Sequence, residues 1–166
     1  MKCWGDNEDG QLGLGDTDSR GDDAGEMGDN LPAVDLGFGR TAVAISAGGT
    51  QTCAVLDNGS VKCWGDNGFG QLGLGDEEYR GDEPNEMGDS LPVVDLGSGR
   101  TAVSITAGTN HICALLDNGS VKCWGDNEDG QLGLGDTDSR GDGPGEMGDN
   151  LPAVDLGSGR SAVSIS

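Results

Sequence analysis

The chain has 166 residues, a length that suggests one domain or part of one. It carries 30 Asp and Glu against 9 Lys and Arg, a formal charge of −21, with 33 glycines and only 4% aromatic residues. This charge argues against nucleic acid as a partner, because phosphates are bound by clustered basic side chains, and it disfavours anionic membranes for the same reason. No apolar run approaches the roughly 20 residues of a membrane span.

An internal repeat is the strongest feature of the sequence. The hexapeptide KCWGDN begins at Lys2, Lys62 and Lys122, so the period is 62 − 2 = 60 residues. Residues 2–22 and 122–142 are identical. We divide the chain into repeat one (2–61), repeat two (62–121) and an incomplete repeat three (122–166).

Short strands, and no helix, are predicted in every repeat. The stretch TAVSITAG (101–108) alternates, which places Val103 and Ile105 on one face of a strand. LPVVDL (91–96) is a second predicted strand, and its Pro92 suits a strand start or an outer edge.

A β-hairpin is predicted next. HICALL (111–116) and SVKCW (120–124) flank Asp-Asn-Gly (117–119), a strong turn signal. Four strands per repeat, repeated head to tail, predict an all-β fold of β-propeller blades. A β-solenoid is the alternative, although its repeats are usually shorter.

The string AGTNHICALLDNGSVKCWGDNEDGQLGLGD (107–136) resembles the repeat of the regulator of chromosome condensation family. The matching features are an Ala-Gly, a His, an Ala-Leu, a Gly-x-Val, a Trp-Gly, an Asn and a Gly-Gln-Leu-Gly. The resemblance covers the whole chain and implies a β-propeller. The chain departs from the family in having fewer than three repeats, in an acidic insert such as 136–150, and in Gln51 at the position of His111.

The same resemblance implies a function. Members of the family bind proteins through loops at the ends and sides of the ring. One type exchanges nucleotide on a small nuclear GTPase and docks on histones, and another inhibits β-lactamases. The resemblance therefore implies a non-enzymatic protein–protein interaction module, with regulation of a small GTPase as a further alternative. No nucleophile, base and acid recur together, and the single histidine, His111, lies in an inner hairpin where a core role is typical.

The hairpin turn sets the positions of the cysteines. A three-residue turn with a bulge at Gly119 closes Leu116 against Ser120. Counting back from there places Cys113 opposite Cys123, in a non-hydrogen-bonded pair with Cα atoms about 4.5 Å apart. That separation lies within the range of a disulfide. A two-residue turn would instead misalign the pair.

Two disulfides, Cys53–Cys63 and Cys113–Cys123, are therefore predicted, and free thiols in a reducing cell are the alternative. Cys3 occupies the position of Cys63, and its partner strand would precede the first residue, so we expect Cys3 to be unpaired. Disulfides of this kind indicate an extracytoplasmic or secreted parent protein, although the opening residues show no signal peptide.

The two ends of the chain both fall inside a repeat. The last residues, SAVSIS (161–166), match TAVSIT and stop before the following Ala-Gly. We therefore expect a fragment of a longer propeller, or a truncated gene copy, that forms an open arc. Unpaired strand edges of such an arc recruit other strands, so we expect self-association through the blade edges.

The acidic inserts suggest a second class of function, a calcium-binding structural or cell-surface repeat protein. Asp-x-Asp followed by Gly-Asp resembles a calcium loop, since Ca²⁺ takes six to eight oxygen ligands. The fit to an EF-hand is poor, because Arg20 stands at the fifth position and the twelfth is not Glu. The alternative is a solvated loop held by Arg20 and by glycine turns. The candidate ligands are Asp16, Asp18, Asp22, Asp136, Asp138 and Asp142.

The inserts also contain Arg-Gly-Asp three times, at 20–22, 80–82 and 140–142. We interpret each arginine as the ion-pair partner of a nearby carboxylate rather than as part of an adhesion ligand. Apart from calcium, no cofactor is expected. The predicted partner is an unidentified protein, which would be basic, as histones are, if the acidic loops contact it.

Overall fold

The computed structural model describes residues 1–166 and contains two three-stranded antiparallel sheets. Within each sheet, strands that are consecutive in the chain lie side by side. No helix is long and apolar enough to cross a membrane. The predicted all-β class is confirmed. The strands are β1 (Ala42–Ala47), β2 (Gln51–Leu56), β3 (Val61–Gly65), β4 (Ala102–Ala107), β5 (His111–Leu116) and β6 (Val121–Gly125), and three short 3₁₀ turns lie at Gly28–Asn30, Gly88–Ser90 and Gly148–Asn150.

The hairpin between β5 and β6 has the predicted register. The N–H of Leu116 donates to the carbonyl of Ser120 at 2.9 Å, and Gly119 has the positive φ of +81° that its turn position requires. Cys113 faces Cys123 as a result. The predicted three-residue turn, rather than a two-residue one, therefore aligns the two cysteines.

The predicted face of the strand at 101–108 is wrong at Val103. Ala102 pairs with Leu116 but Ser104 pairs with Leu115, so Val103 is the extra residue of a bulge. Its side chain is 61% exposed, whereas Ile105 is 7% exposed. The bulge breaks the strict alternation and turns Val103 to the opposite face.

The predicted strand at 91–96 is an extended segment outside the sheet. It makes one backbone hydrogen bond to β3, from the N–H of Val94 to the carbonyl of Val61 at 2.8 Å. Pro92 has no N–H to donate, which prevents a longer ladder at this edge. Each blade therefore has three strands and one singly bonded edge segment, rather than four full strands.

The core lies between the two sheets and continues on their outer sides. Its largest cluster joins Cys53, Val55 and Cys63 of the first sheet to Ile105 and Ile112 of the second. The sheets therefore stack face to face, and apolar burial between repeats stabilises the arc. Residues 161–166 form no strand, and Val163 is 91% exposed, so the sheet at that end is incomplete.

Candidate interaction surface at the repeat junctions

The cysteines lie where the hairpin register places them. Cys53 and Cys63 have Cα atoms 4.1 Å apart and sulfurs at bonding distance, 2.07 Å. Cys113 and Cys123 repeat this arrangement at 4.1 and 2.06 Å. Cys3 is unpaired and half-buried; burial raises the pKa of its thiol, and the N-terminal amino group offsets this in part.

A glycine-rich loop of repeat one, 10–16, contacts repeat two, and we call it the junction loop. The carbonyl of Gln11 accepts a hydrogen bond from Trp64 Nε1 at 3.0 Å and another from Thr52 Oγ1 at 2.9 Å. Gly13 lies beside the indole with φ +68°, and a Cβ there would come within 2.7 Å of Trp64 Nε1. Glycine is therefore required for the indole to reach the loop.

The junction loop is held in shape by Asn7, which is fully buried. Its Nδ2 donates to the carbonyls of Asp16 at 2.8 Å and Asp18 at 3.1 Å, and its Oδ1 accepts from the N–H of Leu12 at 2.9 Å. The sequence reading missed this role. The feature that could have indicated this role is the asparagine that ends every KCWGDN.

The Arg-Gly-Asp segment of repeat two packs against the junction loop of repeat one. The N–H of Gly15 donates to the carbonyl of Gly81, which is buried, at 2.9 Å. Arg80 forms an ion pair with Asp76 at 2.9 Å. The interpretation of the arginine as an ion-pair partner is confirmed, since the same pair recurs as Arg20–Asp16 at 2.7 Å and Arg140–Asp136 at 2.8 Å.

A glutamate organises each acidic insert. Glu86 Oε2 accepts hydrogen bonds from the N–H groups of Gly81 at 2.8 Å and Glu83 at 3.1 Å. Glu26 and Glu146 do the same in the other repeats. In each insert a glutamate carboxylate is thus hydrogen-bonded to the backbone. This role of the glutamate was not predicted from the sequence.

Lys62 is a buried cation that ties the insert to the preceding repeat. Its Nζ donates to the carbonyls of Leu36 at 3.1 Å and Gly88 at 2.6 Å, and the residue is 5% exposed. Burial lowers the pKa of Lys62, while Asp89 and Asp35 oppose that shift. Lys122 makes the equivalent bonds at the next junction.

A groove opens beside each junction loop. At the first junction it encloses about 630 Å³ between the loop of repeat one and the insert of repeat two. The second junction has a corresponding groove of about 370 Å³. The first is lined by residues that include Gly15, Pro32, Asp35, Asn85, Met87 and Asp89.

A group of carboxylates surrounds the first junction, and we call it the carboxylate cluster. Burial raises the pKa of Asp9, and the negative charges of the other members raise it further. Tyr79, which is 39% exposed, shares a hydrogen bond with Asp66 that raises the pKa of its phenol. The members of the cluster are Asp6, Glu8, Asp9, Asp66 and Asp82.

The calcium candidates are not assembled into one site. No group of three or more His, Cys, Asp or Glu side chains is arranged to hold a metal ion. The Asp16 carboxylate instead accepts hydrogen bonds from Arg20, Asn7 and the N–H of Asp18, and Asp136 accepts the same three in repeat three. Calcium binding stays a prediction.

Asp142 is the exception among these candidates, because its Oδ1 is buried and unpaired. Burial raises its pKa, as do the nearby Glu146 and Glu77, although its backbone N–H opposes the shift. Burial also disfavours the charged form of Glu146, but hydrogen bonds from Gly143, Asp142 and Gly141 outweigh this and lower its pKa.

The fold and its repeated junctions define a class of repeat protein. The regulator of chromosome condensation (RCC1) repeat matches the chain in two family descriptions, one over residues 42–71 and 102–131 and the other over 3–55, 58–115 and 118–164. The chain belongs to the RCC1 repeat family.

Curated relatives support this assignment. Human "Probable E3 ubiquitin-protein ligase HERC4" is 36% identical over 135 residues, which cover 81% of this chain and 11% of that protein. The ultraviolet-B receptor UVR8 of Arabidopsis thaliana is 32% identical over 139 residues, covering 82% of this chain and 27% of the receptor. The chain therefore spans a small part of the relatives it matches.

Solved structures show the same fold. Yeast RCC1 (Prp20), in a crystal structure bound to Kap60, has a TM-score of 0.59 and 21% identity over 87% of this chain and 32% of its own. Prp20p from Saccharomyces cerevisiae, studied with its binding to Gsp1p and histones, has a TM-score of 0.59 and 22% identity over 87% and 33%. The chain is an open arc of an RCC1-type β-propeller.

Proposed function

We propose that this chain is a non-enzymatic protein-interaction module that binds a basic segment of another protein at its first repeat junction. The observation that carries the proposal is the carboxylate cluster, in which the negative charges of the other members raise the pKa of Asp9. The repeats bring these carboxylates together, because Gly10 lies against the backbone of Asp82. A lysine- or arginine-rich segment would relieve this repulsion. Prp20p supports the idea by analogy, because histones are basic, and it was studied for binding to them.

The chain itself offers a matched pair of variants. Asp6→Asn with Glu8→Gln and Asp9→Asn neutralises three members of the cluster. Asp126→Asn with Glu128→Gln and Asp129→Asn makes the same change at the same positions of repeat three, which have no insert of a later repeat packed against them. Both variants remove equal charge and replace the carboxylate that accepts a hydrogen bond from Gln11 or Gln131 with the same amide.

The test is the affinity for a lysine- and arginine-rich peptide, measured by titration at about 50 mM and about 300 mM salt. We expect affinity to fall with salt and to fall about tenfold in the first variant, with less than half that loss in the second. Equal losses in the two variants, or an affinity that salt leaves unchanged, would contradict the proposal.

Calcium titration separates this function from the calcium-dependent alternative. We expect millimolar Ca²⁺ to leave the unfolding midpoint unchanged, because Asp16 and Asp136 already accept hydrogen bonds from protein donors. A rise in the midpoint that EDTA reverses would instead favour the calcium-binding repeat protein. Regulation of a small GTPase stays the further alternative by family analogy.

The proposed compartment is oxidising. The cross-strand cysteine pairs of β2–β3 and β5–β6 support it, because such disulfides persist in extracytoplasmic environments. Counting free thiols in protein taken from its native source tests this. One reactive thiol per denatured chain agrees with the proposal, and five contradict it.

A further inference from the structure

The groove at the first junction has walls from both repeats. Leu14 and Gly15 of the junction loop line it from repeat one, and Pro84 and Met87 of the insert line it from repeat two. A Cβ on Gly15 would lie 3.4 Å from Pro84 Cα, so the two walls meet there. The groove encloses about 630 Å³, which is within the size range of ligand pockets.

One carboxylate of this groove, Asp89, differs in its partners from its counterpart in the next repeat, Asp149. Asp149 Oδ1 accepts a hydrogen bond from the N–H of Ser98 at 2.9 Å, and its Oδ2 accepts one from the Ser98 hydroxyl at 2.6 Å. Asp89 Oδ1 accepts from the N–H of Phe38 at 2.9 Å. Because Phe38 has no hydroxyl, the second oxygen of Asp89 lacks the donor that Ser98 supplies to Asp149.

The buried lysine of the junction does not replace that donor. The charge of Lys62 acts on Asp89 and Asp35, but its Nζ donates to the carbonyls of Leu36 and Gly88. Both aspartates are exposed, and no Lys or Arg lines the groove. A cation that enters from outside can therefore reach both carboxylates.

The first groove is also the wider one. Ala33 lines it, whereas Val93, at the same position of the next repeat, lines the second groove of about 370 Å³. Two differences between otherwise similar repeats, Ala33 for Val93 and Phe38 for Ser98, thus give the first junction a smaller wall residue and a carboxylate oxygen without a hydroxyl donor.

We propose that the first groove binds one lysine or arginine side chain of the partner's basic segment. Its methylene stem lies against Leu14 and Met87, and its charged end donates to Asp89 Oδ2 beside Asp35. Charge complementarity selects this occupant, because two carboxylates and no basic residue line the groove. The inference rests on the proposed function, in which a basic segment binds at this junction, and adds which group of the segment enters the protein.

Two substitutions of Phe38, which is 93% exposed, test the contact without changing any charge. Phe38→Ser supplies the hydroxyl that Ser98 gives to Asp149, and Phe38→Ala removes the ring without supplying it. We expect Phe38→Ser to bind the lysine- and arginine-rich peptide about threefold to tenfold more weakly than Phe38→Ala, because a protein donor then occupies Asp89 Oδ2. The affinities are measured by titration at about 50 mM salt. Equal affinities would overturn the proposal.

Methyl NMR of the methionines locates the bound side chain. Met87 lines the first groove and Met147 the second. We expect the peptide to shift the Met87 methyl resonance more than that of Met147, and Ala33→Val to reduce the Met87 shift. Val93→Ala is the control and should leave the Met87 shift unchanged. A Met87 resonance that does not move, or equal shifts at the two methionines, would contradict the proposal.

The results separate this inference from the proposed function. If the variant neutralised at Asp6, Glu8 and Asp9 loses affinity while Phe38→Ser and Phe38→Ala bind alike, the basic segment binds at the junction but no side chain enters the groove. If the unmodified chain does not bind the peptide, both the proposed function and this inference are wrong.

Discussion

Trp64 Nε1 donates a 3.0 Å hydrogen bond to the carbonyl of Gln11, across the boundary between two repeats. Trp124 makes the same bond to Gln71 at 3.0 Å. Both indoles are fully buried, but Trp4 is 62% exposed. The tryptophan at this position of the repeat therefore bonds to the preceding repeat at both junctions, whereas Trp4 lies on the surface.

The first prediction concerns this bond. Trp64→Phe removes the N–H and leaves a small cavity at a fully buried position, so we expect a loss of about 1–2 kcal/mol in the free energy of unfolding. The loss is limited because Thr52 still donates to the Gln11 carbonyl. Urea denaturation measures it. Trp4→Phe is the control and should change stability by less than about 0.5 kcal/mol; equal effects would contradict the junction role.

The second prediction concerns the cysteines. Non-reducing peptide mapping should find Cys53–Cys63 and Cys113–Cys123, with Cys3 free. Each bridge closes a loop with a separation of 10 residues, so reducing either one should cost about 2–3 kcal/mol. Scrambled pairs, or five free thiols after purification in air, would show that the hairpin register does not direct oxidation.

The hairpin register could be predicted to the residue from a three-residue turn over Asp-Asn-Gly, because that turn sets every pair behind it. The bulge at Val103 could not be predicted in this way. Alternation in TAVSIT is compatible with a regular strand, and only packing against the neighbouring sheet distinguishes the two. The segment 91–96 was also predicted as a strand, but Pro92 and a single backbone bond leave it outside the sheet.

The hydrogen bonds at the junctions were harder to predict from the sequence. Gly-Gln-Leu-Gly indicated the family, but the partners of Gln11 are distant in sequence, and one of them, Trp64, lies in the next repeat. The glutamate of each insert was counted only as charge. Its hydrogen bonds to backbone N–H groups depend on a loop conformation that composition does not reveal. Local turn chemistry was readable, whereas contacts between repeats were not.

The third prediction concerns Lys62. Lys62→Met removes the donor to the Leu36 and Gly88 carbonyls, so we expect a loss of about 1–3 kcal/mol at neutral pH by urea denaturation. Lys2→Met is the control, because Lys2 is exposed and donates to Gly28 only. If both variants unfold at the same urea concentration, the buried amine does not stabilise the junction.

The pH dependence of Lys62 has a defined sign. Because its folded pKa lies below 10.5, the unfolded chain binds more protons between the folded pKa and 10.5. Stability from this group therefore rises with pH across that window. The difference in stability between wild type and Lys62→Met should grow there, and a difference that shrinks would contradict the assignment.

The fourth prediction concerns Asp142, whose folded pKa lies above 3.8. The folded chain binds more protons just above that value, so its carboxylate lowers stability as pH rises through the window. Asp142→Asn should raise the urea midpoint at neutral pH and have little effect below pH 3.8. The control is the exposed Asp22→Asn. A midpoint lowered at neutral pH would show that the buried Oδ1 has a favourable partner.

The junction contacts have a further consequence for how such genes change length. They use Gln11 or Gln71, Trp64 or Trp124, and Gly81 or Gly141, which are the same residue types at every boundary. A boundary made this way does not distinguish one repeat from another. Recombination that adds or deletes whole units of 62 − 2 = 60 residues would therefore rebuild every boundary intact. Copy number can drift by unequal crossover without any compensating substitution.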